Sequence, residues 1–139
     1  MMYDEDMIAP MRQELADLGI VETKTPEAVD EILAEGKGTT LVVVNSVCGC
    51  AAANARPGVA VALSRAAKKP DHAITVFAGN DRDATAKARA YFVGYPPSSP
   101  TITLMKDGEV VFMLERHQIA GRDATEIGAQ VANAINEYC

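Results

Sequence analysis

Apolar residues recur at helical spacing near the start of the chain. Ile8, Met11, Leu15 and Leu18 predict a first helix over residues 8–18. The short run Ile20-Val21-Glu22-Thr23 reads as an edge strand. Thr25 offers a side-chain cap and Pro26 suits the first helical position, so a second helix is predicted from there to about Ala34. Gly36 and Gly38 end it. Leu41-Val42-Val43-Val44 is a continuous, mostly β-branched run, the pattern of a central strand buried on both faces. An alanine-rich helix over residues 51–67 follows. Pro57-Gly58 should kink it, because proline removes one backbone donor and clashes with the preceding turn.

Residues 73–78 form the next predicted strand, and Asn80 or Asp81 is expected to cap a helix reaching about Phe92. The Gly- and Pro-rich stretch 94–100 is a loop. Strands over 101–105 and 109–114 are joined by Lys106-Asp107-Gly108, and Asp-Gly between apolar runs is a strong hairpin signal. The last helix begins near Asp123, with Glu126 in a capping-box position and Ile127, Val131 and Ile135 as its apolar stripe. Strands alternating with helices, then a hairpin, imply an α/β fold in three layers: a mixed central sheet flanked by helices. This is the thioredoxin-like plan with an extra N-terminal helix.

The length of 139 residues predicts one domain over 1–139 with a proper core. The net charge is −6 and the basic residues are scattered, which argues against a nucleic-acid partner. The opening Met-Met-Tyr-Asp-Glu-Asp has neither the positive flank nor the apolar stretch of a secretory signal. No apolar run approaches the roughly 20 residues of a membrane span. A cytoplasmic protein with no membrane partner is expected. In that reducing compartment, closely spaced cysteines are catalytic, redox-active or metal-binding rather than a disulfide scaffold.

Cys48-Gly49-Cys50 lies between the central strand and the alanine-rich helix. Thiol–disulfide exchange needs a thiolate within reach of a substrate sulfur and a second thiol to release the mixed disulfide. A helix N-terminus favours the anion through its unpaired N–H groups and the macrodipole. Cys48 is therefore the expected nucleophile, exposed at the strand tip. Cys50, nearer the helix body, is the less accessible resolving thiol. Gly49 gives freedom for close approach of a substrate or for closing a tight ring. A bridge between positions i and i+2 is geometrically possible and strained, and strain makes a disulfide easily reduced.

Other readings compete. A cysteine is often only a small apolar residue. A C-x-C metal site would have only His72, His117 and Cys139 as further candidates, without the second ligand pair of a structural zinc site, so no metal is assigned. A non-catalytic docking module is a third possibility.

Ser99-Pro100 immediately precedes the first hairpin strand. The thioredoxin-like plan carries a cis-proline here, facing the cysteine motif and presenting backbone to an incoming chain. Cis is only about 5% of X–Pro bonds by default, so position in the plan carries this assignment over an ordinary Pro-rich loop. The second hairpin strand should run parallel to the central one and deliver Glu115-Arg116-His117 on the side of Cys48. His117 would then stabilise the thiolate or move protons, with a solvated loop histidine as the alternative. Arg56 is read as a surface arginine that could also assist the thiolate. With about 16 residues at 1.5 Å each in the last helix, Cys139 should lie some 20 Å from Cys48, too far to resolve it.

With these residues in hand, the chain resembles the bacilliredoxin family of small bacterial thioredoxin-like proteins. The resemblance spans nearly the whole sequence. Val44-Asn45-Ser46-Val47-Cys48-Gly49-Cys50-Ala51 and Ala55-Arg56-Pro57-Gly58 carry it most specifically. Pro97-Ser98-Ser99-Pro100, Lys106-Asp107-Gly108-Glu109, Glu115-Arg116-His117-Gln118-Ile119-Ala120-Gly121-Arg122 and Tyr138-Cys139 follow in order. The resemblance implies removal of the low-molecular-weight thiol bacillithiol from mixed disulfides on cytosolic proteins. Cys48 would attack and become thiolated, and Cys50 or a second small thiol would resolve it. The thiol acts as co-substrate, with no resident cofactor. A general disulfide isomerase or reductase is the alternative within the same chemistry. Ala120 replaces a family glutamate, so a charge-dependent role there does not carry over, while the thiol chemistry does.

Overall fold

The computed structural model describes residues 2–139. Helix α1 (Glu5–Ala16) begins three residues before the apolar stripe, because Asp4 accepts from the Asp6 N–H and Glu5 and Asp6 suit the positive end of the helix dipole. Its buried face is Ile8, Arg12 and Leu15. Strand β1 (Val21–Glu22) forms the edge. Helix α2 (Pro26–Leu33) is capped by Thr25, whose hydroxyl accepts from the Ala28 N–H at 3.2 Å.

Strand β2 (Thr39–Asn45) is buried along its whole length. It pairs in parallel with β3 (His72–Phe77) and antiparallel with β4 (Thr101–Lys106), which turns back into β5 (Glu109–Leu114). The sheet order is β1-β3-β2-β4-β5. Strand β5 therefore runs parallel to β2, as expected. The hairpin turns on Asp107 and Gly108, both at positive φ (50° and 84°), the type I′ geometry that matches strand twist.

Alternate residues of β2 feed two cores. Leu41 and Val43 pack with α1, with α3 (Arg56–Arg65) and with α6 (Ala124–Tyr138). Val42 and Val44 pack with α2 and α4 (Arg82–Ala90) on the other face. These are the three layers.

Two expectations are corrected. The alanine-rich segment is not one regular α-helix. Residues Ala51–Ala55 form a π turn, with the Arg56 N–H donating to the Ala51 carbonyl, and Pro57 sits in the first turn of α3. An α turn would press the proline ring on a carbonyl four residues back. The wider turn relieves that contact, so the conflict is absorbed as one inserted residue. Asp81 does not cap α4 with its side chain. Its carboxylate instead accepts from the Phe77 N–H (3.0 Å) and pairs with Arg12 (2.8 and 2.9 Å).

Helices α3 and α6 cross through glycine. A Cβ on Gly58 would stand 2.5 Å from Ile127 Cγ2, and one on Gly128 would stand 2.5 Å from Val61 Cβ. Contacts that short force the helices apart. Gly128→Ala is expected to destabilise the protein by about 1–3 kcal/mol despite the better helix propensity of alanine. An unchanged urea midpoint would mean that this crossing is looser than described.

Candidate active site

The active-site segment begins where β2 ends. Asn45 turns its side chain back on its own loop: Oδ1 accepts from the Ser46 N–H at 2.9 Å, and Nδ2 donates to the Met11 carbonyl of α1 at 3.1 Å. The Ser46 hydroxyl accepts from the Cys48 N–H at 3.0 Å. The Cys48 carbonyl accepts from Ala51 and Ala52 N–H (2.9 and 3.2 Å), which starts the helical turns at Cys48 itself. The Cys50 N–H donates to Cys48 Sγ at 3.3 Å. Such a donor, at the positive end of a helix, favours a thiolate on Cys48.

Cys48 and Cys50 are paired as a disulfide, with Cα atoms 5.4 Å apart. Both are half-buried, so exposure alone does not rank them. Position does: Cys48 lines an open cleft of about 410 Å³, with Tyr3, Ser46, Val47, Ala78, Gly79, Ser99 and Arg116, and Cys50 is not among the lining residues. Gly49 is exposed, does not adopt a positive φ, and would place a Cβ in open space. What its missing side chain leaves is room for an incoming group, rather than a backbone shape only glycine can take.

The Ser99–Pro100 bond is cis. Ser99 lines the cleft together with Cys48, and Pro100 is buried immediately before β4. The loop is tied down on both sides. The Arg89 guanidinium donates to the Ser98 carbonyl at 3.1 Å, and the Ser98 hydroxyl accepts from the Arg116 N–H at 2.9 Å.

Beyond β5 the chain enters a single turn, α5 (Arg116–Ile119), held by a reciprocal capping box between Glu115 and Gln118. This delivers Arg116 to the cleft. His117 is exposed and does not line it. The expectation of three residues emerging beside Cys48 is thus narrowed to the arginine, because consecutive residues on a helical turn point about 100° apart.

Arg56 is not a surface residue. It is only 4% exposed, and its NH1 donates to Asn45 Oδ1 (3.0 Å) and the Ser46 carbonyl (2.9 Å), while Nε pairs with Glu14 of α1. Tyr3 was also missed. Its backbone N–H and carbonyl both bond the Asn80 side chain at 2.8 Å, which lays the N-terminal segment along the cleft wall. The free Cys139 is half-buried against the core of the α3–α6 face. Among the described residues, no three His, Cys, Asp or Glu side chains gather as metal ligands, and no helix is long and apolar enough to cross a membrane.

Comparison with known proteins points the same way as this geometry. The family model described as disulphide isomerase matches residues 3–139. A bacilliredoxin of Koribacter versatilis is 51% identical over 138 residues, covering 99% of this chain and 94% of that protein. A bacilliredoxin of Bacillus cereus is 53% identical over 137 residues, with 99% and 95% covered. Among solved structures, one described as having a thioredoxin fold superposes with a TM-score of 0.56 at 15% identity, covering 81% of this chain and 92% of the other. The chain has a thioredoxin-like fold.

Proposed function

Given that the chain belongs to the bacilliredoxin family of disulphide isomerases, we propose that it reduces mixed disulfides between cytosolic proteins and an anionic low-molecular-weight thiol of the bacillithiol type. It is a thiol–disulfide oxidoreductase, and the proposal concerns its substrate and the roles of its cysteines. The observation that carries it is that Cys48 lines a cleft with Ser99 of the cis-proline loop while its Sγ accepts from the Cys50 N–H.

In the proposed sequence, the Cys48 thiolate attacks the small-thiol sulfur of the mixed disulfide. The protein thiolate leaves, and Cys48 carries the small thiol. The Cys50 thiolate then attacks Cys48 Sγ, releases the small thiol as its thiolate, and closes the Cys48–Cys50 disulfide. External thiols supply the two electrons that reopen it. The backbone of Ser99–Pro100 offers a wall against which the substrate chain lies while sulfurs are exchanged.

Arg116 supports the small-thiol reading. It is the charged side chain lining the cleft in a protein of net charge −6, so a ligand bearing carboxylates, as bacillithiol does, is drawn there selectively. Turnover should be compared on one carrier protein capped with bacillithiol, glutathione or neutral 2-mercaptoethanol, and on a scrambled-disulfide protein. The expected order favours bacillithiol. Arg116→Glu should raise KM for the anionic caps by about tenfold and leave the neutral cap unchanged. Equal turnover on all four substrates would sink the small-thiol reading in favour of a general reductase or isomerase.

A further inference from the structure

We infer that Arg56 is a positioning residue for Cys48 and that Glu14 of α1 holds it in that role, an inference that rests on the reading of Cys48 as nucleophile. Both backbone polar groups of Ser46 are fixed: its N–H by Asn45 Oδ1 and its carbonyl by Arg56. Arg56 also holds the Asn45 Oδ1 that receives the Ser46 N–H. The Ser46 hydroxyl then fixes the Cys48 N–H, and the Cys50 N–H meets Cys48 Sγ. The guanidinium thus anchors a continuous hydrogen-bonded path that ends on the reactive sulfur.

Arginine suits this place because its planar fork reaches several acceptors at fixed angles, whereas lysine offers one point charge. Arg56 lies just after the π turn, and it and its neighbour Ala55 are both buried. The Nε edge of Arg56 is met by Glu14, whose side chain remains 43% exposed. Helix α1 thereby becomes part of the active-site support, rather than an appendage to the fold.

Among the described residues, the charged and titratable groups placed with Cys48 are its partner Cys50 (serine in the test protein), Arg116 and Tyr3 in the cleft, and the Arg56–Glu14 pair behind the loop. Because that pair is internally neutral, Arg56 acts through orientation more than through its net charge. Removing Arg56 alone would leave Glu14 unbalanced, so a double variant separates the two effects.

The test follows the alkylation rate of Cys48 against pH in Cys50→Ser/Cys139→Ser protein, with thermal melts alongside. Arg56→Gln is expected to slow alkylation at pH 7 roughly tenfold and to move the profile upward by about one pH unit. Arg56→Lys should recover part of the rate, and Glu14→Gln should slow it about threefold. Arg56→Gln/Glu14→Gln should remain slow, since charge balance is restored but the Ser46 carbonyl is still unheld. A folded Arg56→Gln with the parent's profile overturns the inference, as does a double variant that returns to it. Should Arg56→Gln fail to fold, Glu14→Gln at the exposed end of the pair decides, and an unmoved profile overturns the inference. A parent Cys48 with an ordinary thiol pKa near 8.5 would count against the nucleophile reading instead, while the variant-to-parent comparison still judges Arg56.

Discussion

Cys48→Ser is expected to lose turnover on a thiolated protein by roughly a thousandfold or more, with the fold intact. The hydroxyl that replaces the thiol does not ionise near neutral pH and forms no disulfide. Cys50 is not expected to rescue the reaction, because it does not line the cleft. The two cysteines should therefore fail differently. Cys50→Ser keeps the first attack, so exposure to a thiolated carrier should load one small thiol onto Cys48, visible as a mass increase on the intact protein. Release then waits for external thiol, and its rate should rise with that thiol's concentration. Cys139→Ser, at the far end of α6, should match the parent. A Cys48→Ser protein with the parent's turnover would end the reading. Thiolation of Cys48→Ser but not of Cys50→Ser would reverse the two roles.

The place of the cysteine motif in the fold is legible in the sequence for a physical reason. Strand β2 announces itself because both faces are buried, so every position is apolar or small and polar. A motif that follows such a strand sits at the C-terminal end of a central strand, where a helix begins. The Asp-Gly turn, the Thr25-Pro26 start and the Asp123 cap are likewise local: each rests on dihedral preferences or hydrogen bonds within a few residues. The buried arginines were not legible in this way. Arg56 finds Asn45 and Ser46 ten or eleven residues away, and Arg12 finds Asp81 across 69. A charge in sequence reads as surface, and only tertiary pairing makes its burial tolerable. A signal did exist for Arg12. It falls at position i+4 from Ile8 and i−3 from Leu15, squarely on the buried stripe of α1. For Arg56 no local signal exists: Pro57 marks only the irregular turn before α3. Arg116 over His117 depended on the phase of one helical turn, which sequence does not set.

Asp81→Ala is expected to cost about 3 kcal/mol of folding stability, the low end for breaking a buried ion pair. Asp81 and Arg12 are both nearly enclosed, with side-chain exposures of 7% and 9%. Arg12 also stacks 5.2 Å from the Phe77 ring centroid. Removing the carboxylate leaves the guanidinium buried and strands the Phe77 N–H. Glu5 and Glu22 remain at 3.1 and 3.6 Å, which keeps the loss from being larger. The pair holds Arg12 protonated more firmly than usual, chiefly through the hydrogen bond to Asp81 and in spite of burial. Glu5 adds a pH-dependent part. The Asn80 amide and Arg12 hold its carboxyl below its ordinary value of 4.5. A carboxylate with a lowered folded pKa stabilises the protein above its unfolded pKa and loses that contribution as pH falls through the folded one. Urea midpoints at pH 7 and at pH 4 measure both effects. The site should feel the loss as well, since Phe77 leads into Ala78 and Gly79 of the cleft wall and α1 carries Glu14 to Arg56. An Asp81→Ala protein with the parent's midpoint would mean that Glu5 and Glu22 suffice for Arg12. A replacement such as Arg12→Met/Asp81→Leu that keeps stability but slows Cys48 alkylation would show that the pair is retained for placing α1, not for the energy of the bridge.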